Sequence, residues 1–130
     1  PAGFVYDTEP ACRALVTARE LDAERVWPLL ALIQRSFYEQ GVDVTTAPQL
    51  VELAEQAGFD RAVFAETFAR ADTRAATAAD FSWAQDLGIA GFPTLLAERN
   101  GQLALLTNGY QPLERLQPLL GRWLQQAACA

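Results

Sequence analysis

The sequence predicts an α+β chain that is mostly helical, with a helical domain over residues 1–87 and a β-hairpin followed by a terminal helix over 88–130. Two observations carry this expectation. From Thr8 to Leu87, apolar residues recur at helical spacing between caps, prolines and glycines. After Gly88 the texture changes to two short apolar runs flanking Asn100-Gly101, a strong two-residue hairpin signal, and then to leucines again at helical spacing.

Each element has its own reason. Gly3 to Asp7 reads as a short extended lead-in, and Thr8 as the N-cap of a first helix with Glu9 and Pro10 in its first turn. Ala11, Leu15, Ala18 and Leu21 form that helix's apolar stripe. A second helix carries Val26, Leu29, Leu30, Ile33 and Phe37; Pro28 requires its regular part to begin close by, and Gly41 ends it. Thr46 and Pro48 open a third helix, closed by Gly58. Asp60 caps a fourth, with Phe59 and Phe64 at the spacing of a hydrophobic staple. A fifth runs from about Thr73 to Leu87 with Ala76, Ala79, Trp83 and Leu87 on one side. Thr94 to Ala97 and Leu103 to Thr107 are the strands, and no strand is expected between residues 20 and 85. The last helix carries Leu113, Leu116, Leu120, Trp123 and Leu124, with Pro118 kinking it or marking where its regular part begins. A hairpin is marginal alone, so this poverty of strands reads as half of a sheet whose partner lies upstream.

Composition excludes several chemistries. The chain has no histidine, which removes Ser-His-Asp and Cys-His catalysis and any His-ligated metal site. All ten basic residues are arginines, so Schiff-base chemistry and a P-loop are absent too. The net charge of −6 argues against a nucleic-acid or anionic-membrane partner, and no apolar run approaches the ~20 residues that span a bilayer. No metal or cofactor is implied. The start at Pro1, with no methionine and no signal-peptide pattern, suggests a processed protein or a piece of a longer one.

Two cysteines remain, Cys12 and Cys129, and neither belongs to a C-x-x-C. Cys12 falls in the first turn of a helix, which favours a thiolate, but Asp7 and Glu9 oppose one. It shares a side with Leu15 and Val16, so it reads as an inert core thiol, whereas Cys129 sits at a fraying terminus. Trp27, Phe37-Tyr38, Trp83 and Trp123 lie at core spacings and read as packing. Arg13 and Arg35 read as solvated, with anion binding as the alternative, and no carboxylate pair stands out as an acid/base dyad.

The segment Gly88-Ile89-Ala90-Gly91-Phe92-Pro93-Thr94 resembles the cis-proline loop of the DsbA-like thiol–disulfide oxidoreductases. Asp7-Thr8-Glu9-Pro10-Ala11-Cys12-Arg13-Ala14 and Gln34-Arg35-Ser36-Phe37-Tyr38, with Gly41, Asp43, Leu53-Ala54 and Gly58, are similar to the helical insertion of the FrnE-like branch. Gly109-Tyr110-Gln111-Pro112-Leu113-Glu114 resembles that family's link into its last helix.

The resemblance implies a thioredoxin fold whose hairpin half is present and whose redox C-x-x-C lies upstream, so that this chain has no catalytic residue of its own. It implies a cis Phe92–Pro93 bond, uncommon at about one X–Pro in twenty. It also implies a substrate-binding surface at Gly91, Phe92, Pro93 and Thr94, where a peptide pairs by main-chain hydrogen bonds. Thiol or disulfide peptides, with glutathione as a further candidate, are the implied partners of an oxidoreductase or disulfide isomerase. Kappa-class glutathione transferases and chromene-carboxylate isomerases share the architecture, and a non-catalytic helical binding module stays open as well. The compartment is undetermined; the resemblance favours cytoplasm over periplasm.

Overall fold

The computed structural model describes residues 7–89 and 93–129, the side chains of 127–129 excepted. By its internal contacts the chain forms two compact units, residues 1–83 and 84–130.

The first unit is a helical bundle. Helix α1 (Glu9–Leu21) is followed by a 3-10 turn (Ala23–Arg25), α2 (Val26–Tyr38), α3 (Ala47–Gln56), α4 (Arg61–Ala69) and the start of α5 (Ala71–Asp86). The punctuation acts as the sequence predicts at most joints. Pro48 sits in the first turn of α3, where a missing N–H is harmless. Asp60 Oδ1 accepts from Val63 N at 3.0 Å, and the Phe59 and Phe64 rings meet at 5.4 Å as a staple. Gly58 takes φ +102°, and a Cβ there would strike the Arg25 guanidinium, whose Nη1 donates to the Ala57 carbonyl at 3.3 Å.

Thr8 is the exception. It stands at the N-cap position of α1 but lies in the helical region and caps nothing with its side chain; Asp7 Oδ1 instead accepts from Glu9 N at 3.0 Å. Gly3 to Tyr6 of the expected lead-in lie outside the described residues.

Leu29, Leu50 and Phe64 are fully buried at the centre, with Ile33, Leu53, Phe59 and Phe68 around them. The buried side of α1 differs from the expected stripe. Ala18 of that stripe is buried as expected, with Pro10, Arg13, Ala14, Val16 and Thr17 also buried, while Leu21 is exposed and Ala11 and Leu15 pack at the margin. Small residues let the other helices approach closely. Arg13 is therefore not a solvated cation. Its guanidinium lies 4.1 Å from the Phe68 ring centre, its Nη1 donates to the Phe68 carbonyl at 3.4 Å, and its Nε faces Glu9 at 3.2 Å. The Nε contact is ionic rather than an aligned hydrogen bond, since Nε has no hydrogen-bond partner. Burial pushes the Arg13 pKa below its ordinary value, against Glu9, which raises it.

The expected face of α5 is also corrected. Thr73 and Thr77 are the buried residues, their hydroxyls donating to the carbonyls of Thr67 and Thr73 at 2.7 and 2.8 Å. Trp83 is 51% exposed and Leu87 42%. Trp27 and Tyr38 are three-quarters exposed as well, so only Phe37 and Trp123 of the aromatic group pack as expected. Helical spacing states which residues share a side; it does not supply a neighbour to cover that side.

In the second unit, β1 (Thr94–Arg99) and β2 (Gln102–Asn108) pair antiparallel, with Ala97 opposite Ala104 and an irregularity between Leu95 and Leu96. Asn100 and Gly101 both take positive φ, 53° and 80°, as a type I′ turn requires. Helix α6 (Leu113–Cys129) packs against β2. Pro118 lies within α6 rather than at its start, and Leu116 and Trp123 are half-buried. Among the described residues there is no strand outside this hairpin, and no helix is long and apolar enough to cross a membrane.

Candidate functional site

Of the predicted loop, Gly88, Ile89, Pro93 and Thr94 are described. Helix α5 stops at Asp86, and Gly88 takes φ +76° as its N–H donates to the Gln85 carbonyl at 2.9 Å. Ile89 N donates to the Ala84 carbonyl at 3.4 Å, which closes the helix end. Across the hairpin, Thr94 stands opposite Asn108. The next residue, Gly109, takes φ +102° and donates its N–H to the Pro93 carbonyl at 2.8 Å. That bond fixes Pro93 to the end of β2 and adds one rung beyond the last strand pair.

Pro93 is exposed and Thr94 half-buried. Gly91 and Phe92, the other two predicted site residues, lie outside the described residues, and with them the expected cis bond. Beside this corner is an apolar depression of about 290 Å³, lined by Leu87, Ile89, Thr94, Leu96, Leu103 and Leu105. The sequence reading missed it. Its signal was alternation, since Leu103 and Leu105 share one face of β2 with Leu96 opposite Leu105.

The corner presents backbone and apolar surface. Cys12 lies in the first unit, half-buried in a cleft of about 200 Å³ between α1 and α2. Ala11, Leu15, Leu30, Ile33 and Phe37 wall that cleft. Burial raises the Cys12 pKa above the ordinary thiol value, and Glu9 and then Asp80 add to the rise. Cys12 is therefore a protonated, weakly nucleophilic thiol, as the sequence suggested, though it lies at the margin of the core rather than within it. Cys129 is the last residue of α6. Among the described residues no cluster could hold a metal ion.

A helical bundle that leads into a β-hairpin and a covering helix, with a glycine-bounded proline at the hairpin's open end, defines a thioredoxin-like protein with a helical insertion. The chain matches the family described as the DSBA-like thioredoxin domain over residues 1–121, and it belongs to that family. Among solved structures it is similar to a "putative protein disulfide isomerase" from Nitrosomonas europaea, at 41% identity and TM-score 0.89, over 97% of this chain and 62% of that one. It is also similar to the cytosolic disulfide reductase DsbM from Pseudomonas aeruginosa, at 32% identity and TM-score 0.80, over 100% of this chain and 63% of that one. A second structure of DsbM, with GSH, aligns at TM-score 0.70 over 92% of this chain and 60% of that one, again at 32% identity. The chain thus spans less than two thirds of each of these relatives. No curated protein matches it.

Proposed function

We propose that this chain is the substrate-binding part of a thiol–disulfide oxidoreductase that exchanges disulfides with peptide or small-thiol substrates, glutathione among them. The observation that carries the reading is the Pro93–Gly109 corner beside the Leu96–Leu103–Leu105 depression, which offers a fixed backbone next to an apolar seat. A substrate would pair there along Gly91–Thr94 by main-chain hydrogen bonds. Residues 1–87 would act as the helical lid and 88–130 as the sheet-forming half.

Exchange needs a thiolate to attack a disulfide and a second thiol to release the product. Cys12 is held protonated, and no C-x-x-C occurs in the sequence. The redox pair is therefore assigned to a preceding segment of the intact protein. The 62% span of the Nitrosomonas relative and the uncovered apolar face of the hairpin support that assignment. The GSH in one DsbM structure supports a small thiol as one substrate.

Insulin reduction with glutathione as reductant tests the reading. The 130-residue chain should show background rates, and the chain joined to its preceding segment should turn over. Turnover by the chain alone that disappears in Cys12→Ser would overturn it, as would an inactive intact protein.

A further inference from the structure

A second cleft, between β2 and the first half of α6, meets the proline corner at Asn108, which lines both. Leu106 and Asn108 of β2, Gln111 of the link, and Arg115, Leu119 and Arg122 of α6 line it. Steps of four and three along a helix put the last three on one face. Arg35, Arg74, Arg115 and Arg122 carry no ion pair among the described residues, and the last two share this cleft. Arg13, Arg19, Arg25, Arg61 and Arg70 are ion-paired, and Arg99 stands over the Trp123 ring. Arg115 and Arg122 make no hydrogen bond or ion pair among the described residues, although Glu114 shares their rim. In a chain of net charge −6, Arg115 and Arg122 against the single carboxylate of Glu114 leave this cleft locally positive.

The strand that lines the cleft also has a free edge. β2 pairs with β1 on one side, and its other edge carries no strand among the described residues. Two turns of helix separate Arg115 from Arg122, roughly 10 Å along the axis. Carboxylates on one face of an extended segment recur every ~7 Å, a spacing that two long arginine side chains meet by converging, and a guanidinium binds each by paired N–H donors.

We propose that this cleft binds an acidic peptide segment, with its main chain along the outer edge of β2 and its carboxylates on Arg115 and Arg122. The site requires no redox chemistry and is independent of the reading above. The full chain is titrated into a labelled extended peptide of alternating glutamate and threonine, and anisotropy is followed at low and high salt. The same peptide with glutamine replacing glutamate is the control. The acidic peptide should bind about tenfold or more tighter than the glutamine peptide, with affinity falling as salt rises. The double variant Arg115→Gln/Arg122→Gln should abolish the difference while circular dichroism stays unchanged. Arg35→Gln, at an exposed arginine of the other unit, should leave it intact. Equal affinity for the two peptides, or a difference that survives the double variant, would overturn the proposal and leave the arginines as charges that keep a strand edge solvated.

Discussion

At the scale of single residues, environment decides which side chains are reactive and which are structural. Cys12 is the clearest case, because its position in the first turn of α1 favours a thiolate while its burial and the carboxylates of Glu9 and Asp80 oppose one. The second influence prevails. In a Cys129→Ser background, the remaining thiol should react with Ellman's reagent at neutral pH about tenfold slower than free cysteine. Its rate should climb only above the ordinary thiol range of about pH 8.5; a rate equal to free cysteine would refute the assignment. Asp43 shows the opposite shift. Hydrogen bonds from the Thr45 hydroxyl and backbone N–H hold its carboxyl below the ordinary value. A depressed folded-state pKa stabilises the fold above the unfolded value and loses that contribution as pH falls through the folded one. Thr45→Val should therefore lower the denaturation midpoint at neutral pH, and the difference from wild type should shrink below about pH 3.9.

At the scale of elements, the ends are written locally and the faces are not. Asp60 satisfies the Val63 N–H because a carboxylate at the N-cap reaches that donor in any context. Asp60→Ala should cost about 1 kcal/mol in chemical denaturation, with the staple still holding the direction of entry. The Asn100-Gly101 turn is equally local, since few other residues accept positive φ at both positions. The faces of α1 and α5 depend on what packs against them. Arg13 is buried because Phe68 supplies a ring and a carbonyl for it, and nothing within α1 announces Phe68.

At the scale of the whole molecule, the two units differ in kind. The first has a centre of fully buried side chains. In the second, Ala97 and Thr107 are the buried residues among those described, while Leu103, Leu105, Leu113, Leu120 and Leu124 are exposed. A hairpin with one covering helix removes too little apolar surface from water to be stable by itself. Amide hydrogen exchange should show slow protons in α1–α4 and fast exchange through β1, β2 and α6. The chain should also bind a hydrophobic dye at the exposed leucines of the second unit. Equal protection across the two units would contradict this account.

The sequence by itself determined the order of the helices and the hairpin, the helix ends at Gly58 and Asp60, the I′ turn and the family, because each depends on a residue and its near neighbours; α2 ends at Tyr38, ahead of the expected Gly41. Pro93 and Thr94 stand at the hairpin's open end, while Gly91 and Phe92 of the expected loop lie outside the described residues. The tertiary structure alone decided that Arg13 is buried, that Trp27, Tyr38 and Trp83 are exposed, and that Leu96, Leu103 and Leu105 form a depression beside the proline. It also brought Arg115 and Arg122 together with Asn108 of the strand. Burial and juxtaposition are relations between segments distant in the chain. They follow from which surfaces meet, and periodicity within one segment carries no record of its partner.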